Sequence, residues 1–313
     1  MASLFDIFDE STKADEIATR IAESLNPAKD LVDDLVYWLE NDKTEPPRAP
    51  GLHCSSLWKT CARTPLLESM HAASIQIREL KAGSRMTFDM GHALHNLIQN
   101  IYLGPFGRLY GEWKCLRCQK IVHKGTMPEH CPECNLEWRG SDGNQNIVYS
   151  ELFVKDEELD FCGHCDGVLM SRDGLKKRVF EFKSKSKAQF ARLRVPESSH
   201  IIQVHAYMKG LGLEEALILY WDKGSQCDWS RDSDGNWLAG DPHLKSFLVT
   251  WNEDLWGAIE QRIKAYHKAT SLIKSLPVVT NETVMKFPRV CTLASCDLAT
   301  DCPVSQQCFA LPK

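Results

Sequence analysis

Apolar residues recur at intervals of three and four in several parts of the first hundred residues, which is the spacing of one helix face. This pattern covers residues 13–25, 28–39, 55–61 and 87–102. A proline-rich segment at residues 45–50 predicts a break in the chain after the second of them. Residues 1–50 are therefore predicted to form a separate helical arm, although a helical cap on the main domain fits the same pattern.

Later segments show the patterns that are typical of β-strands. Runs rich in Val, Ile and Phe, separated by turns that contain glycine, predict strands at residues 147–154, 161–170, 178–184, 216–221 and 244–251. The first three of these strands are expected to form a meander. Ser199 is placed to cap a helix that reaches Gly212, and Asn252 is placed to begin a long helix that ends near Leu276.

This order of helix, three strands, helix and further strands predicts an α/β fold, an α+β arrangement around one mixed sheet. With 313 residues the chain is long enough for one large domain or two modest ones, and one domain with attachments is favoured. We assign residues 51–313 to that domain. It would carry an insertion at residues 111–140 and a cysteine-rich element at residues 288–313.

Asp166, Glu181 and Lys183 form the first candidate chemical site. Asp166 follows one apolar strand, whereas Glu181 and Lys183 lie two residues apart on the next strand. Side chains at this spacing point to the same face, so Glu181 and Lys183 should project together while Phe182 packs in the core. Carboxylate oxygens suit Mg²⁺ or Mn²⁺, which retain positions for water and a phosphate. The set predicts a metal-dependent phosphodiesterase site, although a solvated strand face also explains so short a pattern.

Further short motifs surround these residues. They are Gly91-His92-Ala93-Leu94-His95, then Glu151 in an apolar stretch, and Gln203-Val204-His205-Ala206-Tyr207. The ordered set resembles the RecB-like branch of the PD-(D/E)XK nucleases, which includes the CRISPR-associated and AddB-type nucleases that carry an iron–sulfur cluster. The resemblance covers roughly residues 52–309 and implies a restriction-endonuclease-like core.

The resemblance implies a set of ligands for a catalytic Mg²⁺ or Mn²⁺ ion. These ligands are Asp166, Glu181, the carbonyl group of Phe182, His95 and, for a second metal ion or its water, Glu151. The match of Gly91-x3-His95 also implies exonuclease behaviour, which accompanies the helical histidine in this branch. From the residues alone, a lone histidine on a helix is better explained as structural, and the surrounding motifs are what favour His95 as a ligand.

Lys183, Gln203 and Tyr207 would complete the catalytic set. The lysine would hold or deprotonate the attacking water, or stabilise the pentacovalent phosphate. In the resembling family, the glutamine and the tyrosine position the scissile phosphate or the lysine. The two lie four residues apart and so share one helix face, which an ordinary amphipathic helix surface also explains.

Cys115, Cys118, Cys131 and Cys134 follow the pattern C-x2-C-x12-C-x2-C. This is the spacing of a zinc ribbon, in which two turns each present a pair of thiolates to a tetrahedral ion. We therefore expect a bound Zn²⁺ ion. Its role would be to stabilise an insertion that has little core of its own.

A second group of cysteines lies near the C-terminus. Its members are Cys291, Cys296, Cys302 and Cys308. In the resembling family, three such cysteines and one from the N-terminal side of the core bind a [4Fe–4S] cluster. Cys61 matches the N-terminal ligand, Cys302 and Cys308 match the final pair, and Cys291 is favoured over Cys296 as the third. A second zinc site built from the four C-terminal cysteines is the alternative, because four thiolates alone do not distinguish the two cofactors.

The formal net charge of −5 is unevenly distributed along the chain. Residues 1–50 carry 12 acidic and 5 basic side chains, whereas residues 176–194 carry eight basic side chains and the single acid Glu181. A cationic segment beside the candidate site would neutralise DNA phosphates, although an ordinary solvated surface fits the same charges. The members expected to contact DNA are Lys185, Lys187, Arg192 and Arg194.

Cysteine usage and hydropathy give expectations about location. Thirteen cysteines, most of them grouped at short spacings, favour metal or cluster ligation over a disulfide framework. No apolar run approaches the ~20 residues of a membrane span, and the N-terminus lacks a signal-peptide pattern. A soluble, cytoplasmic protein without membrane partners is expected. The cysteines interpreted as small buried residues are Cys54, Cys162, Cys165 and Cys227, and the histidines interpreted as packing or phosphate contacts are His92, His164 and His205.

These patterns together predict a Mg²⁺- or Mn²⁺-dependent deoxyribonuclease. It would act mainly as an exonuclease on single-stranded or frayed DNA ends, during recombination, repair or replication. Two alternatives stay open, namely a non-catalytic DNA-binding adaptor and a structure-specific endonuclease. Besides DNA, the candidate partner is a helicase or a recombinase.

Overall fold

The computed structural model describes residues 29–41, 51–72, 81–171, 173–224, 233, 243–291, 293 and 297–312. The chain divides into two compact units. The smaller unit includes helix α1 (Lys29–Asn41) and residues 81–88. The larger unit includes the remaining described residues. Helix α1 confirms the helix predicted at residues 28–39, whereas the helix predicted at residues 13–25 lies outside the described residues. The predicted boundaries of the arm and of the insertion stay predictions.

From residue 51 onwards the described elements follow one another in this order. They are β1 (Leu52–His53), a 3-10 helix (Cys54–Lys59), α2 (Arg63–His71), α3 (Ala82–Asn96), a π-helical segment (Leu97–Leu103), β2 (Leu109–Cys115), β3 (Lys120–Gly125), β4 (Ile147–Ser150), β5 (Leu152–Asp156), β6 (Phe161–Cys165), β7 (Gly167–Met170), β8 (Lys177–Lys185), α4 (Lys187–Arg192), α5 (Ser198–Leu211), β9 (Glu215–Asp222), β10 (Leu244–Thr250), α6 (Glu253–Ser275), α7 (Asn281–Met285), α8 (Asp297–Thr300) and α9 (Ser305–Ala310).

Seven of the described strands form a mixed sheet in the order β10-β9-β8-β7-β2-β3, with β4 paired to β2. Strands β8 and β9 run parallel, and the other neighbours in this sheet run antiparallel. Strands β1, β6 and β5 form a second, smaller sheet in that order. The predicted α/β fold with a mixed sheet is confirmed.

Two of the predicted strands are each divided in two, so the expected three-strand meander is wrong. The segment 147–154 breaks at Glu151, because β4 pairs with β2 whereas β5 pairs with β6. The segment 161–170 breaks at Asp166, after which β7 leaves the smaller sheet and pairs with β2 and β8. A glycine is needed directly after this break, since a Cβ atom on Gly167 would lie 2.4 Å from Leu109 Cδ1.

The two helices that follow the predicted capping signals are confirmed, but one of the caps is wrong. Helix α5 begins at Ser198 after Glu197, so Ser199 lies inside the helix and does not cap it. Helix α5 ends at Gly212, which has the left-handed conformation with φ of 64° that favours glycine. At the start of α6 the Asn252 side chain accepts a hydrogen bond from the Leu255 amide at 2.8 Å, as a helix N-cap does. The helix predicted at residues 87–102 differs, because α3 begins at Ala82 and its last turns widen into the π-helical segment. No described helix combines the length and the apolar character that a bilayer crossing requires.

Three clusters of buried side chains hold the larger unit together. The first packs helices α5 and α6 against both sheets, and its largest members are Phe161, Tyr207, Tyr220 and Trp256. The second lies under β2, β4 and β8, and its aromatic members are Trp113, Tyr149, Phe180 and Phe182. The third packs the C-terminal segments against α2 and α6, around Leu66, Leu67, Val284 and Phe287.

The second cluster corrects one expectation about the insertion. Cys115 and Cys131, two of the four predicted zinc ligands, are buried in the same cluster as Phe182 of β8. Strand β2 pairs with β7 through Leu109 and Tyr110, and it reaches Cys115 at its other end. The segment therefore shares its core with the main sheet and is not an appendage with little core.

Candidate active site

Strands β7 and β8 place Asp166 beside Glu181. Their antiparallel register pairs Gly167 with Phe180, so Asp166 and Glu181 lie one step beyond this pair. Both carboxylates are almost fully buried, with 5% and 1% of their surface exposed. The Phe182 amide donates a hydrogen bond of 2.7 Å to Asp166 Oδ2, which fixes this carboxylate against the backbone of β8.

Lys183 projects to the same face as Glu181, as the strand alternation predicts. Its Nζ atom lies 2.5 Å from Glu181 Oε1. The other carboxylate oxygen, Glu181 Oε2, is buried and has no hydrogen-bond partner. A buried carboxylate oxygen without a donor is unfavourable, and it is the type of atom that binds a hard cation.

His95 and Glu151 complete a group of possible metal ligands around Asp166. His95 Nδ1 lies 3.3 Å from Asp166 Oδ1. The imidazole ring packs edge-on against Phe182, with the ring centroids 5.0 Å apart. One ligand atom from each of His95, Glu151 and Asp166 lies within 4.8 Å of the other two. The structure therefore brings together His95 from helix α3, Glu151 from the junction between β4 and β5, and Asp166 from just after the end of β6.

The electrostatics of the site show an excess of buried negative charge. Burial, followed by the charge of Asp166, raises the pKa of Glu181 to about 7 and that of Glu151 to about 7. Burial disfavours the charged forms of His95 and Lys183, but the neighbouring carboxylates outweigh it and raise the pKa of both groups. Carboxyl groups that keep their protons up to neutral pH would lose these protons to solvent when a cation binds.

Gln203 and Tyr207 lie on α5 and are both buried. Gln203 Nε2 donates a hydrogen bond of 3.1 Å to the Tyr207 hydroxyl, which in turn donates one of 2.6 Å to the carbonyl of His164. Burial raises the pKa of Tyr207 well above its usual range, so this hydroxyl stays protonated. These contacts hold the backbone of β6 two residues before Asp166. The role of the pair in positioning a phosphate or the lysine stays a prediction.

Gln99 is a buried site residue that the sequence did not point to. It lies on the π-helical segment and donates a hydrogen bond of 2.9 Å to the Asp166 carbonyl, and its side chain opposes the rise in the pKa of Glu151. Its neighbour Asn100 accepts a hydrogen bond of 2.5 Å from the Tyr149 amide, which docks the segment onto β4. The sequence signal that could have identified Gln99 is its position four residues after His95, on the same predicted helix.

The four basic residues expected to contact DNA differ in their surroundings. Lys185 Nζ lies 2.6 Å from Glu197 Oε1, and only 13% of the lysine side chain is exposed. Lys187, Arg192 and Arg194 are exposed, in or just after the short helix α4. That helix begins directly after β8, at a capping box formed by Ser186 and Gln189. The exposed cationic surface thus lies close in sequence to Lys183.

The four cysteines of the predicted zinc ribbon come together. Cys115 Sγ lies 3.8 Å from Cys134 Sγ, and Cys118 Sγ lies 3.9 Å from Cys131 Sγ. All four sulfur atoms are within 4.8 Å of one another. A tetrahedral zinc ion with bonds of about 2.3 Å requires sulfur atoms about 3.8 Å apart, so this group has the dimensions of a zinc site.

The predicted cluster ligands line a separate cavity. Cys61, Cys291, Cys302 and Cys308 all line it, whereas Cys296 lies outside the described residues. Within the described part of the chain, these sulfurs do not form a group with all ligand atoms within 4.8 Å, as the ribbon cysteines do. Arg289 also lines the cavity, and its Nε atom is buried without a hydrogen-bond partner.

Arg63 joins the N-terminal side of this cavity to the C-terminal segments. It is 1% exposed, its Nε atom donates a hydrogen bond of 2.7 Å to the Phe287 carbonyl, and Nη1 donates one of 3.2 Å to the Pro312 carbonyl. On the other side, Arg262 donates hydrogen bonds to the carbonyls of Trp58 and Thr60. The chain on both sides of Cys61 is thus held by buried or half-buried guanidinium groups.

Comparison with known proteins gives weak similarities. No model of a protein family matches the chain, and no curated protein matches it. Among solved structures, SSO0001 is 12% identical with a TM-score of 0.40, and the match covers 90% of this chain and 98% of that one. An alkaline exonuclease from Laribacter hongkongensis is 10% identical with a TM-score of 0.39, over 78% of this chain and 95% of that one. A phage-related exonuclease from Haemophilus somnus 129PT is 14% identical with a TM-score of 0.40, over 73% and 96%. These values do not assign the chain to a family.

Proposed function

We propose that this protein is a metal-dependent nuclease of the RecB-like PD-(D/E)XK type that hydrolyses phosphodiester bonds in DNA. The observation that carries the proposal is the convergence of His95, Glu151 and Asp166 in one group of possible metal ligands, with the buried Glu181 and its partner Lys183 on the strand next to Asp166. A purely structural ion pair does not account for three carboxylates and a histidine around a single lysine, since buried like charges are costly without a cation.

The donor set fits Mg²⁺ or Mn²⁺. Carboxylate oxygens from Asp166 and Glu181, the unpartnered Glu181 Oε2 among them, match the preference of these ions for hard ligands. His95 would add a nitrogen ligand, the carbonyl of Phe182 a further oxygen, and Glu151 would hold a second ion or its water. When bound, such an ion lowers the pKa of a coordinated water and offsets the charge that develops on the phosphate.

The chain's own groups would then orient the reaction. Lys183, held by Glu181 at 2.5 Å, would bind the attacking water or the phosphate oxygen through its ammonium group. The Phe182 amide keeps Asp166 in one orientation, and Gln99 fixes the backbone of Asp166 from the other side. Burial of these groups excludes bulk water and strengthens each interaction.

DNA ends are the proposed substrate, with exonuclease action on single-stranded or frayed ends. The match of Gly91-x3-His95 to the exonucleolytic members of the resembling family supports this preference. The exposed Lys187, Arg192 and Arg194 support binding to a phosphate backbone next to the catalytic strand. A role in recombination, repair or replication, together with a helicase or recombinase, extends this proposal.

Two accessory metal groups belong to the proposal. The sulfur spacing in the ribbon supports a structural Zn²⁺ ion bound by Cys115, Cys118, Cys131 and Cys134. A shared cavity supports a [4Fe–4S] cluster bound by Cys61, Cys291, Cys302 and Cys308, because sulfurs that bind separate iron atoms lie further apart than those on one zinc ion. The unpartnered Arg289 Nε is placed to donate a hydrogen bond to such a sulfur-rich group.

The decisive test is digestion of end-labelled DNA by protein purified without oxygen. We expect cleavage of linear single strands with Mg²⁺ or Mn²⁺ and a loss on the order of 10³-fold in Asp166→Asn, which removes the charge but keeps an oxygen that can accept the Phe182 hydrogen bond. Glu157→Gln, at an exposed carboxylate, is the matched control. Full activity of folded Asp166→Asn would contradict the assignment, and DNA binding without any cleavage would favour the adaptor. Cleavage of circular single strands would favour an endonuclease.

A further inference from the structure

Two aromatic rings lie exposed on the strand pair that leads to the active site. Phe153 of β5 and His164 of β6 are direct cross-strand partners, with ring centroids 5.2 Å apart. Phe153 is 53% exposed and His164 is exposed as well, whereas Leu152 and Val154 on the opposite face of β5 are buried in the core. The pair adds little to the core, and both rings are accessible to a ligand.

The strand register links these rings to the catalytic carboxylates. Glu151 directly precedes β5 and lies two residues before Phe153, and Asp166 directly follows β6 and lies two residues after His164. Extending the register of the two strands by one residue pairs Glu151 with Asp166 and places both on the face that carries Phe153 and His164. The carboxylates of Glu151 and Asp166 do meet, as this register requires. Two residues of a β-strand span about 7 Å. The aromatic pair is therefore one step along the strands from the proposed metal site.

A nucleic-acid base is the ligand that fits this arrangement. Every base has an apolar π-face that stacks on aromatic side chains regardless of its identity, and each such contact contributes about 1–3 kcal/mol. A separation of about 7 Å allows a base to stack on the rings while a phosphate of the same strand reaches the carboxylates. Bases within a duplex are already stacked on their neighbours, so an exposed ring pair selects an unpaired base.

We propose that Phe153 and His164 form a stacking platform for an unpaired base next to the scissile phosphate. This inference rests on the proposed nuclease function and deepens it, since it explains a preference for single-stranded or frayed ends over intact duplex.

The test measures DNA binding without divalent metal ions, so that it does not depend on cleavage. Single-stranded oligonucleotides that carry a fluorescent base analogue, 2-aminopurine, at successive positions from one end report stacking as quenching. We expect strong quenching at one position in the wild-type protein and in Phe153→Tyr, which retains a flat ring. Phe153→Leu, which keeps apolar surface but no ring, should lose the quenching and bind single strands about 5- to 150-fold more weakly. Phe106→Leu, at a phenylalanine that is 76% exposed, is the matched control and should leave both values unchanged.

Each other outcome is informative. Unchanged quenching and affinity in Phe153→Leu, or an equal loss of affinity for single strands and blunt duplex, would overturn the platform. A change in self-association of Phe153→Leu on light scattering, with normal DNA binding, would assign the pair to a protein interface and overturn it too. Wild-type protein that shows position-dependent quenching but no cleavage with Mg²⁺ or Mn²⁺ would contradict the nuclease function alone and leave the platform supported.

Discussion

Replacing Glu181 with glutamine should stabilise the folded protein in the absence of divalent ions while abolishing its activity. Glu181 is 1% exposed, and burial together with the charge of Asp166 raises its pKa from the ordinary 4.5 to about 7. Because the folded state holds this proton more tightly than the unfolded state, stability falls as the pH rises from the ordinary pKa to the raised one. Glutamine has nearly the same shape as the protonated acid and does not ionise.

The magnitude follows from the difference between 4.5 and about 7. At about 1.4 kcal/mol for each tenfold change in proton affinity, ionised Glu181 costs the folded state about 3 kcal/mol at pH 8. At pH 5 Glu181 stays almost fully protonated in the folded state, and the same linkage gives a cost to the folded state of about 1 kcal/mol. The advantage of Glu181→Gln should therefore grow by about 2 kcal/mol between the two pH values, and the attraction between Glu181 and Lys183 is already included in the raised pKa.

Urea denaturation followed by circular dichroism, at pH 5 and pH 8 in buffer without added divalent ions, measures both free energies of unfolding. Glu157→Gln, at a carboxylate that is 84% exposed, is the control and should change stability by less than about 0.5 kcal/mol at either pH. Added Mg²⁺ or Mn²⁺ should stabilise the wild-type protein more at pH 8 than at pH 5, and Glu181→Gln much less. If Glu181→Gln is less stable than wild type at pH 8, or if its advantage does not grow with pH, the buried carboxylate is not held in an unfavourable charged state and the reasoning fails.

Three further predictions concern the groups around this site. In Gln99→Leu, which removes the side chain that hydrogen-bonds the Asp166 carbonyl, the Mn²⁺ concentration for half-maximal cleavage should rise about 10-fold or more, whereas a purely structural role would lower stability without changing this concentration. In Cys131→Ser, elemental analysis should find that one zinc ion per chain is lost, and hydrogen exchange should accelerate in β3; an unchanged zinc content would contradict the ribbon site. In Cys302→Ser, anaerobically purified protein should lose its visible iron–sulfur absorption, whereas Cys54→Ala, at a core cysteine, should keep it; a coloured Cys302→Ser protein would exclude this ligand.

Much of the candidate site could be predicted because strand alternation is a local property. Glu181 and Lys183 are two residues apart, and any strand would bring their side chains to one face. The ribbon cysteines were predictable for a similar reason, since each pair lies within one short turn. The position of Asp166 opposite Glu181 needed only the assumption that consecutive strands pair.

The changes of pairing partner at Glu151 and Asp166 could not be predicted, because apolar residues occur on both sides of each carboxylate. What divides each segment is a change of pairing partner, and partners such as β2 are distant in sequence. The π-helical geometry that turns Gln99 towards Asp166 also depends on tertiary contacts, among them those of Asn100 with β4. Lys185 is less exposed than its charge alone suggested, because it forms an ion pair with Glu197, which lies twelve residues later in the sequence.

Strand β2 has a consequence for how the protein responds to its surroundings. At one end it carries Cys115, and at the other it pairs with β7, the strand that begins immediately after Asp166. If the proposed zinc site and nuclease activity are correct, oxidants that modify the thiolates or chelators that remove the ion at one end would loosen the register at the other. A cell short of zinc would then contain protein with impaired DNA cleavage even when magnesium is plentiful. Nutritional state and nuclease output would thus be connected through a single seven-residue segment of backbone.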